Sequence, residues 1–199
     1  MKVYKRGEVI NNYKVLGDTS ILKNYDSDIN IVIAIGKACV RKKMFDKINN
    51  IKEFQYPNLI DPDAIFDENI KIGIGNTIAA GTIATTNIEI GNFNVINTSC
   101  TIGHDTYIKN FVTIYPGANI SGSVNVQECV EIGSGSQIIQ GKDIGKNVIV
   151  GMGAVVINDI QDNITVVGVP AKNIEYRKKE SWFESITYIK NKYRSIVGL

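Results

Sequence analysis

An apolar residue returns every six positions of this chain for nearly a hundred residues, with no slip of register. The series is Ile60, Phe66, Ile72, Ile78, Ala84, Ile90, Ile96, Ile102, Ile108, Ile114, Ile120, Val126, Ile132, Ile138, Ile144, Val150 and Val156, and only Phe66 and Ala84 are not Ile or Val. A period of six fits neither a helix face nor a flat strand. It is the period of a hexapeptide parallel β-helix. Each unit supplies a short strand and a corner. Three units close a triangular coil of about 18 residues, so residue i stacks beneath residue i+18. At about 4.8 Å per coil the prism stands ~27 Å tall. Branched side chains suit the anchor because they stack well on a pleated surface, and burying each is worth roughly 1.5–3 kcal/mol. Gly73, Gly91, Gly103, Gly133, Gly145 and Gly151 each follow an anchor directly, where glycine is expected to supply backbone angles that a Cβ forbids. The unbroken register leaves no loop to form a lid. A substrate pocket is therefore expected from a neighbouring subunit or from the segment before the repeat.

That segment, residues 1–58, reads as a small α/β unit. Asn30 to Gly36 is an apolar run ending in glycine and predicts a buried parallel strand. Lys37 to Ile51 predicts a helix with Val40, Met44, Phe45 and Ile48 on one face. Phe54 to Leu59 predicts a second strand, completing part of a βαβ unit whose ligand position lies near Gly36. Residues 59–172 form the prism. The exit Val167-Gly168-Val169-Pro170-Ala171-Lys172 holds a proline that cannot continue a central strand. Residues 173–199 read as a tail expected to be helical from Arg177 to Val197, with Trp182, Ile186, Ile189, Tyr193 and Ile196 at helical spacing. It is expected to pack on the prism or a neighbour, with a membrane-surface helix as the alternative.

Composition narrows the function. A net charge of +2 indicates no nucleic acid or other polyanion as partner. No segment has the length and apolarity of a membrane span, and no signal peptide opens the sequence. Cys39, Cys100 and Cys129 lack metal-ligand spacing and read as reduced thiols of a cytoplasmic protein.

The single histidine, His104, lies two residues after anchor Ile102. That phase puts it at an outer corner, away from the core. Neutral imidazole accepts a proton near pH 7, and Asp105 could hold its other nitrogen. Neighbours along a strand point to opposite faces, so a corner geometry must bring the two together.

Several stretches carry a resemblance: Ala34-Ile35-Gly36 with Arg41, Asn97-Thr98-Ser99 before His104-Asp105, Pro116-Gly117-Ala118, Gly151 to Val156, and Gly168 to Lys172. Through them the chain resembles the sialic acid O-acetyltransferases and nucleotide-amino-sugar N-acetyltransferases of NeuD/PglD type. The resemblance implies a left-handed β-helix, an acetyl-CoA donor without metal, and a homotrimer with active sites between subunits. It implies His104 as general base and Asp105 as its acidic partner. Donor contacts are implied at Thr113, Gly122, Ser134, Met152 and Lys172, and an acceptor contact at Gly36. Thr113 stands where a relative has a second histidine. The family's Gly-Gly-His turn has no counterpart, so the N-terminal unit is expected to be a shortened one. Three functions remain open: acetyl transfer to the amine of a nucleotide-linked amino sugar in surface-glycan synthesis, transfer to a hydroxyl of sialic acid or another sugar, or a non-catalytic scaffold. Zinc carbonic anhydrases of related fold need several histidine ligands, and this chain has one.

Overall fold

The computed structural model describes residues 5–174; the expected C-terminal helix lies outside them. Two-residue strands, each ending on an anchor, recur from Leu59–Ile60 to Val155–Val156. Parallel pairing sets Ile60 against Ile78 and Ile102 against Ile120, an offset of 18 residues. The strands form three walls. Wall 1 starts at Leu59–Ile60, wall 2 at Ile65–Phe66 and wall 3 at Lys71–Ile72. The final coil is tighter: Ile149 pairs with Thr165, an offset of 16. Lys172–Asn173 then folds back antiparallel onto Val166–Val167 and closes the edge of wall 1.

Two side chains in every six point inward, the anchor and the residue two before it. Ile88, Asn94, Cys100, Thr106, Val112, Ala118, Val124 and Val130 are all fully buried. Cys100 is thus a core residue. Buried polar members of this second column bond from coil to coil, as when Asn94 Oδ1 accepts from the Val112 amide at 2.7 Å. A buried polar group needs such a partner.

The glycines after the anchors have a different reason from the one expected. Left-handed backbone falls two residues later, at Asn87, Asp105 and Ser123 between walls 2 and 3, and at Phe93, Phe111 and Cys129 between walls 3 and 1. The glycine directly after an anchor answers to crowding from the next coil. A Cβ on Gly103 would lie 2.5 Å from the Gly122 amide nitrogen.

Phe93 and Phe111 occupy left-handed positions that bulky residues rarely take. Their rings stack at 5.2 Å, and Phe45 lies 4.4 Å from Phe93. This corner is where the N-terminal unit docks, sharing a second core with Ile33, Ile48, Phe54 and Tyr56. Before it come a short hairpin, Val9–Ile10 with Tyr13–Lys14, and a 3₁₀ turn, Thr19–Asn24.

The unit departs from expectation in three ways. The helix spans Ala38–Asn49; Ile48 is buried and Met44 and Phe45 pack on the second core as expected, but Val40 is exposed and Ala38 and Arg41 join the buried face. Residues 31–36 alternate inward and outward and touch another strand only through the bridge Asn30–Gln55. With one face packed, the run is half-buried. Phe54 to Leu59 likewise supplies only that bridge, and Leu59 opens wall 1.

Candidate active site

His104 sits at the corner between walls 2 and 3, as its phase predicts, and is half-exposed. Asp105 takes a left-handed φ of +56°. An acidic residue tolerates that conformation better than most. The turn brings both side chains to one side, with His104 Nδ1 2.8 Å from Asp105 Oδ2. A carboxylate only accepts, so Nδ1 carries the proton and Nε2 is left as the acceptor. The hydrogen bond from His104, and then one from Asn87 Nδ2 to Oδ1 at 3.2 Å, hold the Asp105 carboxyl below its usual range. Asp105 is therefore ionised at neutral pH.

Gly122 lies one coil above His104. A Cβ there would fall 2.5 Å from Nε2 and 2.6 Å from Cε1. The missing side chain is what seats the ring. The His104 carbonyl is itself fixed, accepting from the Ser123 amide at 2.7 Å.

The other expected site residues do not gather round this pair within one chain. Ser134 and the largely exposed Met152 stand at the corner between walls 1 and 2, across the whole of wall 2 from His104. Lys172 is at the exposed edge of wall 1. Gly36 belongs to the unit docked at the third corner. Three residue sets thus occupy three corners of the prism.

Thr113 does not fit a donor contact. It is 0% exposed, and its hydroxyl donates to the Gly36 carbonyl at 2.6 Å while accepting from Arg41 Nη2 at 2.9 Å. It fastens the N-terminal unit to wall 1. Arg41 does the same with its whole guanidinium, which bonds the carbonyls of Phe93, Ile35, Gly36 and Val112 as well as Thr113. Burial pulls Arg41 down to about 10, opposed chiefly by the Glu131 charge, so it stays cationic at neutral pH. Glu131 accepts from the Ala38 amide at the start of the helix and from the Tyr115 hydroxyl.

Asn87 escaped the reading of the sequence. It lies 18 residues before Asp105, and only the coil length reveals that they are neighbours. Among the described residues no cluster of His, Cys, Asp and Glu could hold a metal ion, and no helix is long and apolar enough to cross a membrane. Cys39, Cys100 and Cys129 are free thiols.

No family model matches the chain, and no curated protein matches it. Its likeness is to solved structures. A histidine mutant of perosamine N-acetyltransferase from Caulobacter crescentus, in complex with CoA and GDP-perosamine, is 28% identical with a TM-score of 0.80, covering 86% of this chain and 82% of that one. The acetyltransferase domain of PglB from Neisseria gonorrhoeae is 32% identical with a TM-score of 0.80, covering 87% of this chain and 85% of that one. The same domain has been solved with acetyl coenzyme A. WeeI from Acinetobacter baumannii is 30% identical with a TM-score of 0.78, covering 84% and 81%. The shared architecture is the left-handed parallel β-helix. With this likeness running over most of both chains, the protein belongs to the hexapeptide-repeat sugar N-acetyltransferase family and is an acetyl-CoA-dependent sugar acetyltransferase.

Proposed function

We propose that the chain transfers the acetyl group of acetyl-CoA to the amine of a nucleotide-linked amino sugar, with His104 as general base, in a step of surface-glycan synthesis. The observation that carries the base assignment is the Nδ1–Asp105 contact of 2.8 Å, which leaves Nε2 free to take a proton. The amine nitrogen attacks the thioester carbonyl and gives its proton to Nε2. The tetrahedral adduct then collapses, the C–S bond breaks, and CoA thiolate leaves and recovers that proton from the imidazolium. Asp105 stabilises the imidazolium formed between these steps. The amine acceptor is supported by the similar structure that holds GDP-perosamine together with CoA. Transfer in a trimer, with the donor held between prisms, is supported by the separation of His104 from Ser134 and Met152 across wall 2. Domain roles follow: residues 1–58 hold the acceptor nucleotide and residues 59–172 carry the chemistry.

Thiol release from acetyl-CoA tests the reading. A nucleotide amino sugar should support turnover, and His104→Asn and His104→Ala should lower kcat about 10²–10⁴-fold, the usual contribution of a positioned base. Undiminished turnover in both variants would remove His104 from the mechanism. Release with a sugar hydroxyl but with no amino sugar would replace the amine as acceptor.

A further inference from the structure

We propose that Asn87 is a positioning residue for acetyl transfer, aiming the Asp105 carboxylate at His104. The inference rests on His104 as the base. Asn87 and Asp105 occupy the same corner one coil apart, with φ of +54° and +56°. Matching backbone at matching turns points both side chains out along one line. Asn87 Nδ2 reaches Asp105 Oδ1 at 3.2 Å, and Oδ2 meets His104 Nδ1 at 2.8 Å. One carboxylate oxygen is therefore held from below while the other faces the ring.

The need for such a hold comes from exposure. Asp105 and His104 have half their side-chain surface in water, 51% and 49%. A solvated carboxylate beside a solvated ring gains little from pairing alone and is free to turn away. Among the described residues the Asn87 amide is the one side chain besides His104 that bonds it. A carboxylate turned away would let the imidazole choose the other tautomer, with the proton on Nε2 and no acceptor for the incoming amine. Asn87 thus acts on the reaction through Asp105 and touches no reacting atom.

The left-handed backbone supplies a clean test. Glycine adopts φ of +54° without strain, so Asn87→Gly removes the amide and leaves the turn intact. Asn87→Asp keeps the shape but replaces the donor with an acceptor. If donation positions Asp105, kcat should fall about tenfold in Asn87→Gly and further in Asn87→Asp, with KM for acetyl-CoA within about twofold of the parent. A merely structural role reverses the order, because the isosteric acid would then do better than glycine. In a background of Asp105→Gly, adding Asn87→Gly should cost nothing more, since residues acting through one contact are not additive.

The chain has a single histidine, so the NMR signals of its ring nitrogens read the pair directly. In Asn87→Gly the tautomer with the proton on Nδ1 should lose population as the carboxylate leaves the ring. A ring that keeps its Nδ1 proton as fully as the parent would overturn the proposal, as would unchanged kinetics in both variants. Failure of the base assignment is separate: it shows as full activity in His104→Ala, whatever Asn87 does.

Discussion

At the scale of the residue, the site depends on what stands one coil away. The phase of the repeat was enough to place His104 outside the core and beside an acid. The reason the pair works was less legible. Asp105 reaches the ring because its backbone is left-handed, and a sequence shows left-handed positions plainly only where they fall on glycine. Gly122 shows the same limit. The resemblance offered it as a donor contact, and nothing in the sequence showed that its missing side chain makes room for the ring below it. This yields a prediction for Gly122→Ala. The added Cβ would stand 2.5 Å from Nε2, at the far end of a side chain with open water beside it. The ring should swing out at little cost to the fold. Melting temperature should therefore stay within a few degrees while kcat falls about 10²-fold, the penalty for misplacing a reacting group by roughly an ångström. Thermal melts and turnover measured on one preparation check both halves. A large drop in melting temperature would show that the backbone, and not the imidazole, absorbs the methyl group.

Elements were legible where one pattern controlled them and obscure where docking did. The helix Ala38–Asn49 announced itself by apolar spacing, and Met44, Phe45 and Ile48 do face the second core, but Val40 is exposed and Arg41 is buried. Arg41 is almost fully buried because its donors meet four carbonyls and a hydroxyl drawn from the Ile35–Gly36 turn, the Phe93 corner and wall 1. No periodicity forecasts a guanidinium spent in this way. Likewise Phe93 and Phe111 hold a conformation that bulky residues rarely take, and Phe45 of the helix packs on both rings. Arg41→Met preserves length and apolar stem while leaving the Phe93 and Ile35 carbonyls without that donor, the Gly36 and Val112 carbonyls keeping the Thr113 hydroxyl and the Val95 amide. Docking of the N-terminal unit should weaken by on the order of 3–5 kcal/mol, given about 1–3 kcal/mol for each buried group left unsatisfied and partial relief by water. Amide hydrogen exchange separates the parts: the helix should lose protection while Ile96, Ile114 and Ile132 keep theirs. Equal loss in both would show that unit and prism unfold together.

Taken whole, the molecule is a prism with the expected site residues distributed over its edges. Arithmetic on the coil length makes this legible after the fact. His104 and Gly122 differ by 18 residues, one full coil, and share a corner. Ser134 and His104 differ by 30, one coil and two thirds, and cannot. The period that settles the fold therefore also forbids these expected contacts from meeting in one chain, except by a ligand that crosses wall 2. Closed cyclic assembly removes the difficulty, because each prism can offer its His104 corner to one neighbour and its Ser134 corner to the other. Mixing two defective chains tests this. His104→Asn lacks the base, and Ser134→Trp blocks the donor corner; each alone should be inactive. Unfolded together in equal amounts and reassembled, they should recover about a quarter of parental turnover, since half of the His104 corners are intact and half of these face an intact donor corner. No recovery would place donor and base on a single prism, with the ligand lying across wall 2. Full activity of Ser134→Trp by itself would remove that corner from the donor site.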